Sequence, residues 1–326
     1  MIETPTASAF TIEPAESDDT DDTDAPLLSA DQKPSEKTSA TEPELFLVKS
    51  KPITSRIRTT IKHLRKEAGP WSRFRGLQVA VITHFVHQVL FRFFVGLVPS
   101  AMITEPIVAV ATTVILCRLE MTWTHVVISA PTVTRWFRRI PSTKSGRNII
   151  LPTMVYAIAQ QVALYMPIAL YQAFGLNRFH EDPSHFGEIS EEARKMVMKQ
   201  YFLVALSGLL MAVLIVFPAS VSLTRVQASM LPEENESIVP FDRTFGGKVK
   251  PEILGGSGAV SMLDAWKTFG WAARIRLVKL YAKIGMIQVA TTVLFVMMVV
   301  GELRLIMGDE LQKMTEKGVQ HVLGHN

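Results

Sequence analysis

Cysteine is almost absent. Cys117 is the single thiol in the 326-residue sequence, which excludes an intrachain disulfide and any cysteine-based metal cluster. A lone thiol in apolar surroundings reads as a small buried residue rather than a redox centre. Charge is missing from long stretches: residues 148–177, 201–223 and 284–301 contain no Asp, Glu, Lys or Arg. Uncharged apolar runs of about 18 residues or more are long enough to cross the hydrocarbon core of a bilayer as helices. Enzyme signatures are missing as well. There is no HExxH, no Walker lysine loop, no GxSxG elbow and no cysteine–histidine zinc spacing. The "GGSG" at 255–258 lacks the strand and helix that phosphate binding requires and reads as a linker. The expectation is therefore a protein that is not an enzyme and holds no cofactor and no metal.

Two more spans are interrupted by charge, at 76–98 by Arg92 and at 102–118 by Glu105, with a hairpin turn at "LVPSAM" between them. Together the runs predict an all-α polytopic integral membrane bundle. About five helices (four to six) would cross near 76–98, 102–118, 149–175, 201–223 and 284–301, within a membrane domain over 76–302. A polar tail at 303–326 follows.

Residues 1–48 are acidic and poor in aromatics, with "ESDDTDDTDAP" at their centre. Such a segment cannot bury enough apolar surface to offset chain entropy, so it is expected to be disordered and to offer an acidic surface to protein partners. Its DDTDD run matches a magnesium-binding carboxylate pattern but has no helical apolar face to carry it. The segment also lacks the apolar core of a secretory signal and the basic character of a mitochondrial presequence.

The charge then reverses. Residues 49–75 hold Lys49, Lys51, Arg56, Arg58, Lys62, Arg65, Lys66, Arg73 and Arg75 against Glu67 alone. A basic amphipathic segment beside a membrane domain is expected to rest on anionic lipid headgroups rather than on nucleic acid. Basic residues also collect around 135–147 and 225–283, whereas the segment from Asn177 to Lys195 is rich in acid. Five spans put the three basic segments on one side and the acidic one on the other, an orientation that follows from the positive-inside rule. A basic surface helix is expected near 262–282, and the sequon Asn235-Glu236-Ser237, on the basic side, is expected to stay bare.

The chain also echoes itself. Shifted by one hundred residues, 112–129 lies over 212–229, with Ile115 on Ile215, Thr124 on Thr224, Val126 on Val226 and Ser129 on Ser229. Each segment ends a span on the same side and precedes a basic loop and a further span, which suggests a repeat of about one hundred residues.

This organisation resembles the mitochondrial carrier family, in which three such repeats each end an odd helix in P-x-[D/E]-x-x-[K/R], often extended by x-R-x-Q. "PASVSLTRVQ" keeps Pro218, Arg225 and Gln227 but has Ser220 for the acid and Leu223 for the base. "RLEMTWTHVV" keeps only the acid, Glu120. Phe74-Arg75-Gly76 is similar to the step into an even helix. No apolar run before residue 49 corresponds to a first helix, so the resemblance covers about residues 52–302. It implies a mitochondrial membrane protein built around a central cavity. With Ser220 and Leu223 in place of the charged pair, one arm of the family's ion-pair gate is chemically absent.

Candidate cavity residues are His84, His87 and Arg92 on the first span, Gln160 and Gln161 on the third, and Gln288 on the last. His84, His87 and Gln88 share a helix face that Arg92 continues. These groups either line a path for a small anionic solute or hydrogen-bond between helices, with Arg92 snorkelling to the interface. Three functions follow: a non-transporting scaffold or adaptor on a carrier-like frame, a transporter of a small anionic metabolite working by alternating access, or an endomembrane protein unrelated to carriers.

Overall fold

The computed structural model describes residues 53–98, 103–181, 189–250 and 254–323. The acidic tail, the start of the basic segment, the turn at 99–102 and the centre of the acidic loop at 182–188 lie outside them. The described residues form helices and irregular loops without a strand; an isolated bridge pairs Ser129 with Ser237.

The basic segment folds as helix α1, Ile57–Ala68. The hydroxyls of Thr59 and Thr60 donate to the carbonyls of Arg56 and Ile53 at its start. Arg65 and Lys66 occupy its last turn, where the helix dipole favours positive charge. Gly69 ends it at φ +77°, a 3₁₀ turn over Pro70–Phe74 follows, and Gly76 at φ +75° starts α2, Leu77–Leu97. A Cβ on Gly76 would come within 2.8 Å of Val127 and 3.0 Å of Trp123. Gly76 thus supplies both the left-handed backbone and the close approach that seats α2 against its neighbour.

Helix α3, Thr104–Ile115, and α4, Cys117–Ile128, form one apolar unit bent by 56° at Leu116. The span read at 102–118 is therefore the first limb of a longer, broken element. Helix α5, Thr143–Ala173, carries Pro152 and Pro167 in its interior and packs on α3 and α4 on one side. The short α6, Asn177–Glu181, follows. Helix α7, Glu191–Met211, begins with a Ser190 cap whose hydroxyl accepts from Ala193 N–H, and Glu191 and Glu192 fill its first turn.

Pro218, inside the span read at 201–223, does not end the helix. Without an N–H it cannot bond the Leu214 carbonyl, and a π turn over Ala212–Val216 takes up the mismatch, with Phe217 N–H reaching Ala212 O. The helix then continues as α8, Phe217–Ser229. A short α9, Met262–Lys267, precedes α10, Trp271–Leu323, which holds Gly308 at φ +46°. The surface helix and last span read at 262–282 and 284–301 are thus mostly one helix, because nothing after Gly270 interrupts helical backbone until Gly308.

Among the described residues, four helical stretches are long and apolar enough to cross a membrane: Pro70–Leu97, Gly146–Ala173, Glu191–Ser229 and Trp271–Leu305. The bent pair α3–α4 makes a fifth if it crosses as one unit. Apolar faces cover the outside, including Phe85, Phe93, Leu203, Leu214 and Leu294, as expected where the surrounding solvent is lipid.

The loops are packed structure. Ala130 N–H donates to Glu236 O at 2.7 Å, Ile238 N–H to Ile128 O at 2.9 Å, and His63 Nε2 lies 2.9 Å from Ile238 O. Asn148 Nδ2 donates to Ser257 O at 2.9 Å, and a Cβ on Gly256 would overlap the Lys250 carbonyl at 2.2 Å. Of the glycines read as a linker, Gly256 is thus close-packed backbone, whereas a Cβ on Gly255 would meet nothing within 4 Å. These bonds join the three basic segments at one end of the bundle. At the other end Leu176, Phe179 and Val197 form a separate apolar cluster.

Candidate functional site: a polar cleft between helices

Between α2, α3–α4, α5 and α8 lies a cleft of about 550 Å³. Helix α2 supplies Thr83, His84, His87 and Gln88, which recur on one face at steps of three and four. His87 Nε2 lies 3.2 Å from Thr113 Oγ1 and 3.3 Å from Thr112 Oγ1, so the α2–α3 contact is polar at this level. Helix α5 adds Gln160, Gln161 and Tyr156; Gln160 Nε2 donates to Tyr156 Oη at 3.0 Å, a pair four residues apart.

The α4 and α8 walls correspond to each other at the one-hundred-residue offset. Glu120 and Ser220, Trp123 and Leu223, and Thr124 and Thr224 all line the cleft. The two helices touch directly: Thr124 Oγ1 donates to Gln227 Oε1 at 2.6 Å, and His125 Nε2 lies 2.8 Å from Gln227 O. Both units are also irregular at matching places, the break at Leu116 and the π turn at Ala212–Val216, and both finish at a serine, Ser129 and Ser229.

Of the expected cavity residues, His84, His87, Gln160 and Gln161 meet in this cleft, together with Glu120, Ser220, Leu223 and Gln227 from the signature segments. Arg92 does not line it. It is exposed one turn beyond Gln88, where α2 has passed the cleft. Gln288 does not either, because α10 is exposed throughout that stretch and brings nothing against the cleft. The polar residues not expected in a cavity beforehand are Thr83, Thr113, Trp123, Thr124, Tyr156 and Thr224. Thr124 and Thr224 carried the signal of the repeat; the others carried no signal of their own that pointed to a cavity.

Arg225, although kept in the signature-like segment, faces away from the cleft and is 1% exposed. Its Nε donates to Ala265 O at 2.8 Å and its Nη2 to Thr268 Oγ1 at 2.9 Å, and the guanidinium stacks on Phe245 and Phe269. It fastens α8 to the loop and to α9. Arg118, standing where a proline would be, likewise holds the Pro141 carbonyl with Nε and Nη2. Below Arg225, Asp242 is partly desolvated, which raises its pKa, yet the Thr244 hydroxyl, the N–H groups of Gly246 and Thr244 and the nearby Arg225 outweigh this and hold the carboxyl below its ordinary value.

Glu120 is the only acidic or basic residue besides the histidines on the cleft wall. Among the described residues its carboxylate has no hydrogen-bond or ion-pair partner, and Thr83 Oγ1 is buried without one. No ion pair in the described structure bridges two helices; the one pair present, Lys195–Glu191 at 2.9 Å, is an exposed contact within α7. No group of His, Cys, Asp and Glu among the described residues has metal-binding geometry. Comparison with family models, with curated proteins and with solved structures finds no match. The class defined by the fold of the described residues is an all-helical protein with four apolar helices of spanning length and a polar cleft between three of them and the bent pair α3–α4.

Proposed function

We propose that this is a multi-pass membrane protein that takes a small polar solute into the cleft, on a frame of carrier-like repeats. The cleft itself carries the reading: hydroxyl, amide, imidazole and carboxyl groups from separate apolar helices converge on one space large enough for a metabolite. The pairing of Glu120 with Ser220 and of Thr124 with Thr224 across the cleft supports the repeat. The solute is a hydrogen-bond donor, neutral or cationic, rather than the anion expected with Arg92 in the wall. An unpartnered carboxylate at membrane depth is costly, and a donor or a positive charge on the solute offsets it.

Saturable uptake of a polyol or of a neutral or cationic amino acid into liposomes holding the purified chain, abolished by Glu120→Gln, is the expected result. Absence of both uptake and solute-induced thermal stabilisation across such a panel would overturn the proposal. A second reading, a non-transporting scaffold, draws on the lack of ion pairs between helices among the described residues, since alternating access needs contacts that form and break between two states. It predicts stabilisation without uptake. We propose a mitochondrial membrane as its location, an expectation that rests on the carrier resemblance alone, with an endomembrane as the alternative; imaging of a tagged copy decides between them.

A further inference from the structure

We infer that a second cavity, at the basic end of the bundle, is a binding site for a phosphate group, built by Arg75 and Arg139. The cavity measures about 280 Å³ and lies where the end of α1, the start of α2 and the loop after α4 meet. Arg75 enters from the turn before α2 and Arg139 from the 3₁₀ turn Trp136–Arg139. The two guanidiniums bracket one residue: Arg75 Nη2 donates to Ser129 O at 2.6 Å and Arg139 Nη2 to Ser129 Oγ at 2.7 Å. Arg75 Nη2 also reaches Val126 O at 3.0 Å.

These bonds go to neutral oxygens. No carboxylate pairs with either arginine among the described residues, and Arg75 Nη1 and Arg139 Nε are buried without any partner. Desolvation also lowers the Arg139 pKa, as expected for a cation held without a counter-charge. Two half-buried guanidiniums on one wall repel each other and retain unmade donors, and an oxyanion with several acceptor oxygens corrects both faults.

The remaining wall fits the rest of such a ligand. Thr132 and Thr134 present hydroxyls, their Oγ1 atoms 3.1 Å apart, and the indoles of Trp71 and Trp136 supply an apolar face for the organic part of a phosphate ester. Exposed Trp71 and half-buried Trp136 at this end also suit the headgroup level of a bilayer. The shared chemistry is a phosphate ester. Its source is either an anionic lipid headgroup or a soluble phosphate.

The test measures thermal stability of the full-length protein in neutral detergent and in phosphatidylcholine nanodiscs. One arm adds phosphatidic acid to the discs, and the other titrates inorganic phosphate and glycerol phosphate against chloride. Stabilisation only by phosphatidic acid assigns the site to a headgroup; stabilisation by the soluble phosphates assigns it to a free ligand. Stabilisation in neither arm overturns the proposal. Arg139→Gln should weaken the response about tenfold, from the loss of charge-assisted bonds, with Arg139→Lys between it and the parent protein. Arg138→Gln, next door but outside the cavity, should leave it unchanged. Equal losses in Arg138→Gln and Arg139→Gln would show a diffuse surface charge and overturn the site. If Arg139→Gln does not fold, competition in the parent protein decides: glycerol phosphate must diminish the phosphatidic acid response, and failure to do so when both ligands stabilise overturns a common site.

Discussion

Replacing Arg225 with Met tests whether the signature-like segment is kept for architecture. The substitution keeps a flexible apolar stem of similar reach and removes the donors that hold Ala265 O and Thr268 Oγ1. Hydrogen bonds from a charged donor contribute about 1.5–3 kcal/mol each, and stacking of a desolvated guanidinium on an aromatic ring about 2 kcal/mol. The terms overlap, since one side chain makes them all and Met refills part of the space, so a net loss of about 3–4 kcal/mol is expected. At an unfolding entropy of about 2 cal/mol/K per residue, a chain of this size shifts by about 1.5 °C per kcal/mol, so the thermal midpoint should fall by about 4–6 °C. The assay is unfolding of detergent-solubilised protein followed by tryptophan emission, which Trp266 reports locally because its ring packs on Phe217 and Phe269. Solute binding in the cleft should persist below the new midpoint. A midpoint within about 1 °C of the parent value would refute the reasoning, as would an Arg225→Met protein of normal stability that has lost the solute.

Three further outcomes follow from the same structure. Gly76→Ala should destabilise the α2–α4 contact by about 2–4 kcal/mol, because left-handed backbone with a Cβ costs about 1–2 kcal/mol and the added atom meets Val127 and Trp123; normal stability would contradict the close approach. His87→Leu should weaken solute binding about tenfold by leaving Thr112 and Thr113 without their partner across the helices, read by titrating the solute against thermal stability. Asp242 has a folded pKa below its unfolded value, so its contribution to stability is complete above about pH 4 and is lost as the pH falls through the lower, folded value. Asp242→Asn should therefore flatten the acid limb of a midpoint-against-pH curve, and an unchanged limb would contradict the assignment.

The long uncharged runs made the helical class and three of the four spanning stretches legible, because a run without charge suits the crossing of lipid; the stretch over α2 was read in spite of Arg92. The cleft was legible in part. His84, His87, Gln160 and Gln161 stood out as polar groups within apolar helices, and all four meet in space. Arg92 and Gln288 carried the same signal and lie elsewhere, since periodicity places a residue on a face but does not say how far along the helix a neighbour extends. The bend at Leu116 left no trace in the sequence because neither Gly nor Pro marks it. Pro218 was conspicuous, but the π turn that absorbs it keeps the helix going. The ordering of the loop between α8 and α9 rests on contacts such as Ile238 N–H to Ile128 O, which join residues far apart in sequence and cannot be read from either segment alone. Arg75, read as part of a basic segment and of the Phe74-Arg75-Gly76 step, and Arg139, read as part of a basic loop, became a pair through Ser129.

The central claim, a water-accessible polar cleft inside the membrane domain, is open to a direct measurement because the native thiol, Cys117, is single and buried. Gln160→Cys and Gln288→Cys proteins in sealed membranes would be treated with a membrane-impermeant maleimide. The account predicts labelling at position 160 and none at position 288, which the apolar surface of α10 keeps in lipid. Equal labelling at the two positions, or protection of position 160 from both sides, would contradict it.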